Sequence, residues 1–191
     1  EQGDEIIVPS FTFIATVYAP LYVGAKPVFA DIEGKTYGLD PEDVKDKITS
    51  KTKAVMPIHY GGFPCKIRAL KEICEDYDIL LFEDAAEAFG AKYNNEYVGT
   101  FGESSVFSFC QNKIFTTSEG GCVVTNDQKI AEKLKLLRSY GRKVNGDYFD
   151  TINNIDYITL GHNFRMSSIL AALGLSQINK VDKMIEMRRN N

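Results

Sequence analysis

The sequence predicts an α/β protein: a mostly parallel, mixed sheet flanked by helices. Three observations lead there. Short apolar runs alternate with segments of helical periodicity through the first half of the chain, the pattern of β-α-β units. The run Ile79-Leu80-Leu81-Phe82 is apolar without alternation, as expected of a strand covered on both faces. Beyond it, short extended segments surround the turn-forming pair Asn94-Asn95, which adds a hairpin-like middle and makes the sheet mixed.

Each element has its own signal. Residues 6–8 read as a buried strand stopped by Pro9. Ser10 is placed to cap a helix towards Val23, with Pro20 as a kink or early stop and Gly24 at its end. Residues 27–30 form a second strand, and Pro41 opens a helix to about residue 48. Residues 53–58 form a third strand, followed by the turn Gly61-Gly62-Phe63-Pro64. Ile67, Leu70, Ile73 and Cys74 repeat at helical spacing within residues 65–77. After the fourth strand, residues 104–109 and 121–125 read as two more, and Asn126 or Asp127 caps a helix to about residue 140. Residues 141–158 are polar and irregular, with Gly146 and Asn153-Asn154. So long a connector is expected to serve function or subunit contact. Ser167 starts a helix through Leu175, and a last helix follows.

Composition excludes several function classes. With 44% apolar and 25% charged residues, the 191-residue chain has the make-up of an ordinary globular domain. A net charge of -4 with no basic stripe argues against nucleic acid as a main partner. Arg188-Arg189 reads as a solvated helix face. No apolar run spans a bilayer, and the opening residues carry no apolar leader, so a cytoplasmic location is expected. Cys65, Cys74, Cys110 and Cys122 form no C-x-x-C pair, and His59 and His162 lie far apart. That is a poor metal site, and reduced thiols are expected. No Walker loop, G-x-G-x-x-G or G-x-S-x-G occurs, and neither histidine has an obvious catalytic partner.

The chemistry-bearing stretch is Phe107-Ser108-Phe109-Cys110-Gln111-Asn112-Lys113, read with Glu83-Asp84-Ala85-Ala86-Glu87. A lysine can form a Schiff base with an aldehyde cofactor. A carboxylate facing a pyridine nitrogen keeps that nitrogen protonated, so the ring accepts electrons. Lys113 and Asp84 are the candidates for these roles, with Ser108 placed to bind a phosphate and Phe13 to stack on a planar ring. Plain alternatives stand beside each. Asp84 can cap the Ala85-Ala86 turn, Lys113 can be a surface lysine, Ser108 a satisfied strand serine, and Phe13 a core residue. Residues 116–121 read either as a loop that lets backbone approach a ligand or as a hairpin turn.

Several segments, in order, resemble the DegT/DnrJ/StrS sugar aminotransferase family, a branch of the fold-type I pyridoxal-phosphate (PLP) enzymes. They are Gly3 to Phe13, Val23 to Phe29, Glu83 to Gly90, Phe107-Ser108-Phe109 with Asn112-Lys113, Glu119-Gly120-Gly121, and Gly161-His162-Asn163-Phe164-Arg165-Met166 before Ala171-Ala172-Leu173-Gly174. The resemblance implies a three-layer fold-type I large domain. It implies that Lys113 holds the cofactor and shuttles protons, that Asp84 pairs with the pyridinium nitrogen, that Ser108 binds the phosphate and that Phe13 stacks on the ring. Asn163, with Arg165 as a rival, is implied to reach the cofactor of a partner subunit in a homodimer with shared sites. Glu87 stands where the family often has Gln or His beside the cofactor's phenolic oxygen. A carboxylate there needs protonation or compensation. Glu87 with the 112–121 segment most resembles the perosamine-synthase-type subgroup.

The implied activity is transfer of an amino group, from L-glutamate, to a nucleotide-linked keto-sugar, giving an amino sugar for polysaccharide, glycan or antibiotic synthesis. The alternatives are a dehydratase of the same fold, in which histidine commonly replaces the lysine, and a non-catalytic regulatory relative. Residues 1–191 are expected to be the large-domain core of a longer protein. Such a core would lack an N-terminal segment and a smaller C-terminal domain, and alone it is expected to be inactive.

Overall fold

The computed structural model describes residues 1–143 and 156–190. The elements in chain order are β1 (Glu5–Pro9), α1 (Ile14–Tyr22), β2 (Lys26–Ala30), α2 (Pro41–Lys47), β3 (Thr52–Val55), α3 (Ile67–Asp76), β4 (Leu80–Asp84), β5 (Lys92–Tyr93) and β6 (Glu96–Tyr97). There follow β7 (Ser104–Ser108), β8 (Gly121–Val124), α4 (Gln128–Leu137), β9 (Arg142–Lys143), β10 (Asp156–Tyr157), α5 (Ser168–Ile178) and α6 (Val181–Arg189).

Six strands form the central sheet in the order β2-β1-β3-β4-β7-β8. All neighbours run parallel except the antiparallel pair β7–β8, so the sheet is mixed and mostly parallel as expected. The Asn94-Asn95 hairpin is not the cause, since β5 and β6 pair in a separate two-stranded sheet. From β1 the chain steps outward to β2, then back past β1 to β3 and on to β4. Right-handed crossovers in opposite directions put α1 on one face and α2 with α3 on the other, which makes three layers. Val44 of α2 and Ile67, Leu70, Ile73 and Cys74 of α3 pack against Ile7, Val55 and Leu81 of the sheet. The helical spacing of those apolar residues is the sequence cause of that packing. Among the described residues, no helix is long and apolar enough to cross a membrane.

Several boundaries differ from the sequence expectation. Ser10 does not cap α1. Its backbone N–H bonds the Ala30 carbonyl at 2.9 Å, which keeps the chain extended beside β2. Phe13 takes the N-cap position without a side-chain bond, and the helix starts at Ile14. Pro20 neither kinks nor stops α1; it is buried inside the helix near its end. The Ala25 N–H bonds back to the Pro20 carbonyl at 3.0 Å, and Gly24 has φ +77°, so the chain leaves the helix through a left-handed turn. β3 ends at Val55 because Pro57 has no N–H to give a ladder, and Ile58 survives as a lone bridge to Asp84. β4 is not covered along its whole length, since Leu80 is exposed. The 141–158 segment is not irregular at its ends, where β9 and β10 pair antiparallel; Gly146 and Asn153-Asn154 lie outside the described residues. Asp127 caps α4, accepting the N–H groups of Lys129 and Ile130, and Ser167 caps α5.

Candidate active site

β1, β2, β3, β4 and β7 are parallel, so their carboxyl ends share one edge of the sheet. Open α/β sheets collect ligands at that edge. Asp84 is the last residue of β4 and Ser108 the last of β7. Phe13 follows β1, and Lys113 lies in the connection from β7 to β8. Four residues distant in sequence are thereby brought to one side of the molecule.

Asp84 is almost fully buried. Its Oδ1 accepts the Ala86 N–H at 3.1 Å, so the turn-capping alternative holds. Its Oδ2 accepts the Thr16 hydroxyl at 2.7 Å, which ties the carboxylate to α1 as well. Thr12 and Thr16 share a further 2.7 Å hydroxyl contact. Capping a turn alone does not require a link to a helix sixty-eight positions away (|i−j|=68). The Ser108 hydroxyl oxygen accepts the Cys110 N–H at 3.3 Å.

Lys113 is not a surface lysine; its side chain is 17% exposed. Nζ donates to Glu87 Oε1 at 3.2 Å, and Glu87 Oε2 accepts the Gly61 N–H at 2.8 Å. Both oxygens of the Glu87 carboxylate are thus hydrogen-bonded, one by Lys113 and one by a backbone amide. Both residues line a cleft of about 440 Å³ with Gly61, Gly62, Arg188 and Arg189. The two arginines therefore border the lysine's cleft, and the solvated-face reading of them is incomplete.

The 109–120 connection is braced from within. The Phe109 N–H bonds the Gly120 carbonyl at 2.8 Å, while the Thr117 N–H and the Thr116 hydroxyl both reach the Phe109 carbonyl at 3.0 Å. The Phe109 and Phe115 rings meet at 4.8 Å, and Phe89 stacks on Phe115 at 5.1 Å. A Cβ on Gly121 would lie 2.7 Å from the Phe107 carbonyl, so only glycine permits this close return of the chain. The segment is thus a long hairpin connection between β7 and β8 that also carries Lys113, in line with the hairpin reading of residues 116–121.

Other expectations are corrected or not brought together. Phe13 is 73% exposed, so the core alternative fails for it. Among the described residues, those bordering the Lys113 cleft do not include Asp84, Ser108, Phe13 or Asn163. Asn163 is exposed and forms a backbone bridge with Ser139, and Arg165 lies over the Tyr140 ring at 5.3 Å.

Sequence reasoning missed Thr16, and it found no partner for His59. His59 and Glu83 are both buried and paired, Nε2 to Oε2, at 3.1 Å. His59 Nδ1 accepts the Cys65 N–H at 3.2 Å, so the proton sits on Nε2 and is donated to Glu83. Glu83 also accepts the N–H groups of Gly99, Phe101 and Gly102 at 2.7, 2.7 and 2.9 Å. Burial alone pushes its carboxyl up. The bonds from His59, Gly102 and Gly99 outweigh that and hold it below the usual carboxylate range. A glutamate beside Asp84 in an apolar strand was the available signal. Nothing pointed to a histidine 24 positions away (|i−j|=24).

A family model described as the DegT/DnrJ/EryC1/StrS aminotransferase family matches residues 1–191. GDP-perosamine synthase of Escherichia coli O157:H7 is 42% identical over 188 residues, covering 98% of this chain and 50% of that protein. Among solved structures, Helicobacter pylori PseC, an aminotransferase involved in the biosynthesis of pseudoaminic acid, superposes with a TM-score of 0.87 at 36% identity. That superposition covers 95% of this chain and 47% of PseC. Spr1654 from Streptococcus pneumoniae, solved in a PLP form, gives 0.89 at 28% identity, covering 99% of this chain and 52% of that one. The chain spans about half the length of the curated relatives it matches. With the sheet edge, the buried carboxylate and the enclosed lysine in the same order as in the resemblance, the chain belongs to the DegT/DnrJ/EryC1/StrS aminotransferase family.

Proposed function

We propose that this chain is the large-domain core of a PLP-dependent aminotransferase that aminates a nucleotide-linked keto-sugar, with L-glutamate as donor. The observation that carries the reading is that a largely buried lysine and a buried, doubly hydrogen-bonded aspartate both lie at the carboxyl edge of the sheet. GDP-perosamine synthase and PseC, both at more than one third identity, support the amino-sugar assignment.

The donor set fits the cofactor. PLP, when bound, supplies an aldehyde for an amine and a protonated ring that accepts electrons. Lys113 Nζ would be the amine for that aldehyde, and the same nitrogen would serve to hold and move a proton at the reacting carbon. Asp84 is held in place by accepting from Thr16 and Ala86, which suits its carboxyl to face a ring nitrogen. Ser108 offers a hydroxyl to the phosphate, and Phe13 an exposed ring face. Glu87 accepts a hydrogen bond from Lys113 Nζ and so orients that side chain before a cofactor is bound. Lysine rather than histidine at position 113 favours amine transfer over dehydration.

The remaining length of the protein would complete the phosphate cup and the substrate cleft. A homodimer, with Asn163 serving the partner's site, completes the proposal. The test supplies the full-length protein with PLP, L-glutamate and GDP-, UDP- and dTDP-linked keto-sugars, and follows amino-sugar product by mass spectrometry. Lys113→Ala is expected to lower turnover by about 10²–10⁴-fold or more. Wild-type turnover in Lys113→Ala overturns the reading.

A further inference from the structure

Three aromatic rings stand together on the ligand-binding edge, outside the residues that border Lys113. Phe11 follows β1, Tyr37 follows β2 and Tyr60 follows β3, so three adjacent strands contribute one ring each. Ring centroids lie 4.8 Å apart for Phe11–Tyr60, 6.3 Å for Phe11–Tyr37 and 6.2 Å for Tyr37–Tyr60. These are the separations of rings in mutual contact. Yet the three residues are 45%, 52% and 38% exposed, which a core cluster would not be.

The loop carrying Tyr37 is unusually constrained. Tyr37 has φ +56°, a left-handed conformation that opposes a bulky side chain. Its N–H bonds the Glu33 carbonyl at 3.1 Å, and the Glu33 N–H bonds the Gly38 carbonyl at 3.0 Å. The Glu33 carboxylate, itself buried, accepts the N–H groups of Lys35 and Thr36 at 3.0 and 2.7 Å, and the Thr36 hydroxyl. A Cβ on Gly38 would fall 2.4 Å from Cys65 Cβ, so the loop is seated against the core. Strain held this firmly, with an exposed ring at its tip, points to a ring whose position is used.

The patch is tied to the reactive cleft through the chain at Tyr60-Gly61. Tyr60 precedes Gly61, whose N–H holds Glu87 at 2.8 Å, and Glu87 holds Lys113 Nζ at 3.2 Å. We propose that Phe11, Tyr37 and Tyr60 form a stacking platform for the nucleobase of the nucleotide-linked sugar. The inference rests on the nucleotide-sugar reading. In such a substrate the reacting carbonyl lies on the sugar, and a planar base lies at the far end of a diphosphate. Aromatic faces take any base by stacking, so the platform supplies affinity and leaves the choice of base to other contacts.

The test titrates GDP, UDP and dTDP into the full-length protein by calorimetry. Tyr37→Asn removes the ring but accepts the left-handed backbone, so the loop is kept. Tyr60→Leu and Phe11→Leu keep apolar bulk without a ring, and thermal melting checks the fold of each. We expect about a 10-fold or greater loss of nucleotide affinity per ring removed. We also expect a raised KM for the nucleotide sugar and an unchanged KM for L-glutamate. Tyr37→Phe and Tyr60→Phe should bind as wild type does. Unchanged nucleotide affinity in Tyr37→Asn/Tyr60→Leu overturns the platform, and so does a change of oligomeric state without loss of nucleotide affinity, which assigns the rings to an interface between copies. Absence of PLP chemistry at Lys113 sinks the aminotransferase reading instead, and the nucleotide titration still reports on the rings.

Discussion

The two ends of the sheet are finished differently. Around β1 to β4, α2 and α3 close a core in which Ile7, Leu39, Val44, Val55, Ile67 and Leu70 are fully buried. At the β7–β8 end the buried cluster is Phe109, Phe115 and Val181, each still slightly accessible. Among the described residues, α4 buries none of its side chains, α5 only Gly174 and α6 only Val181. Ile169 and Leu175 of α5 are 82% and 71% exposed. One end is a self-sufficient packing unit, while the other presents Lys113 from a thinly covered loop. In the proposed function the rest of the protein's length, or a partner subunit, covers that second end, and catalysis is assembled where coverage meets.

Cutting the tie between the two ends breaks this arrangement most strongly. Glu83 joins His59, beside the closed core, to the amides of Gly99, Phe101 and Gly102. Glu83→Leu strands those donors in a dry interior and should cost about 3–5 kcal/mol, a fall in Tm of roughly 10 °C or more, read by calorimetry. The pH dependence has a definite sign. The folded-state pKa of Glu83 lies below its unfolded value, so its contribution is present above the ordinary carboxylate range and is lost as pH falls through the folded pKa. Glu83→Gln should flatten that acid limb.

The second comparison sets one residue from each end side by side. Leu70→Ala in the closed core should destabilise by about 3 kcal/mol, and Val181→Ala at the open end by about 1 kcal/mol. Equal losses in urea unfolding would contradict the difference in closure.

The smallest effect concerns the Tyr37 loop. The Thr36 hydroxyl, with the amides of Lys35 and Thr36, holds the Glu33 carboxyl down to about 2 against the opposing effect of burial. Its stabilisation is present above about pH 4.5, the unfolded value, and fades as pH falls towards 2. Thr36→Val should reduce the slope of stability between those limits. An unchanged slope would remove Glu33 as the clamp of that loop.

How much of this was legible in sequence depends on distance along the chain. Strand and helix order followed from local periodicity, as in residues 67–74, where apolar spacing, not a partner, sets the buried face. Lys113 and Asp84 were legible because a lysine after an apolar strand and a carboxylate at a strand end are chemically conspicuous. Their partners were not. The Thr16–Asp84 bond depends on α1 starting at Ile14, which in turn depends on the Ser10 amide being taken by Ala30. Glu87 and Lys113 are 26 positions apart (|i−j|=26), and only the fold makes them neighbours. The core alternative for Phe13 fails because apolarity states a need for cover without saying which chain supplies it.

The central claim is that Lys113 is the amine that engages the cofactor. The most direct measurement incubates the full-length protein with PLP, reduces it with borohydride, digests it and locates the pyridoxyl label by mass spectrometry. The account predicts the label on Lys113, and its disappearance in Lys113→Ala with the fold intact. A folded protein that binds PLP but carries no label on Lys113 would contradict it.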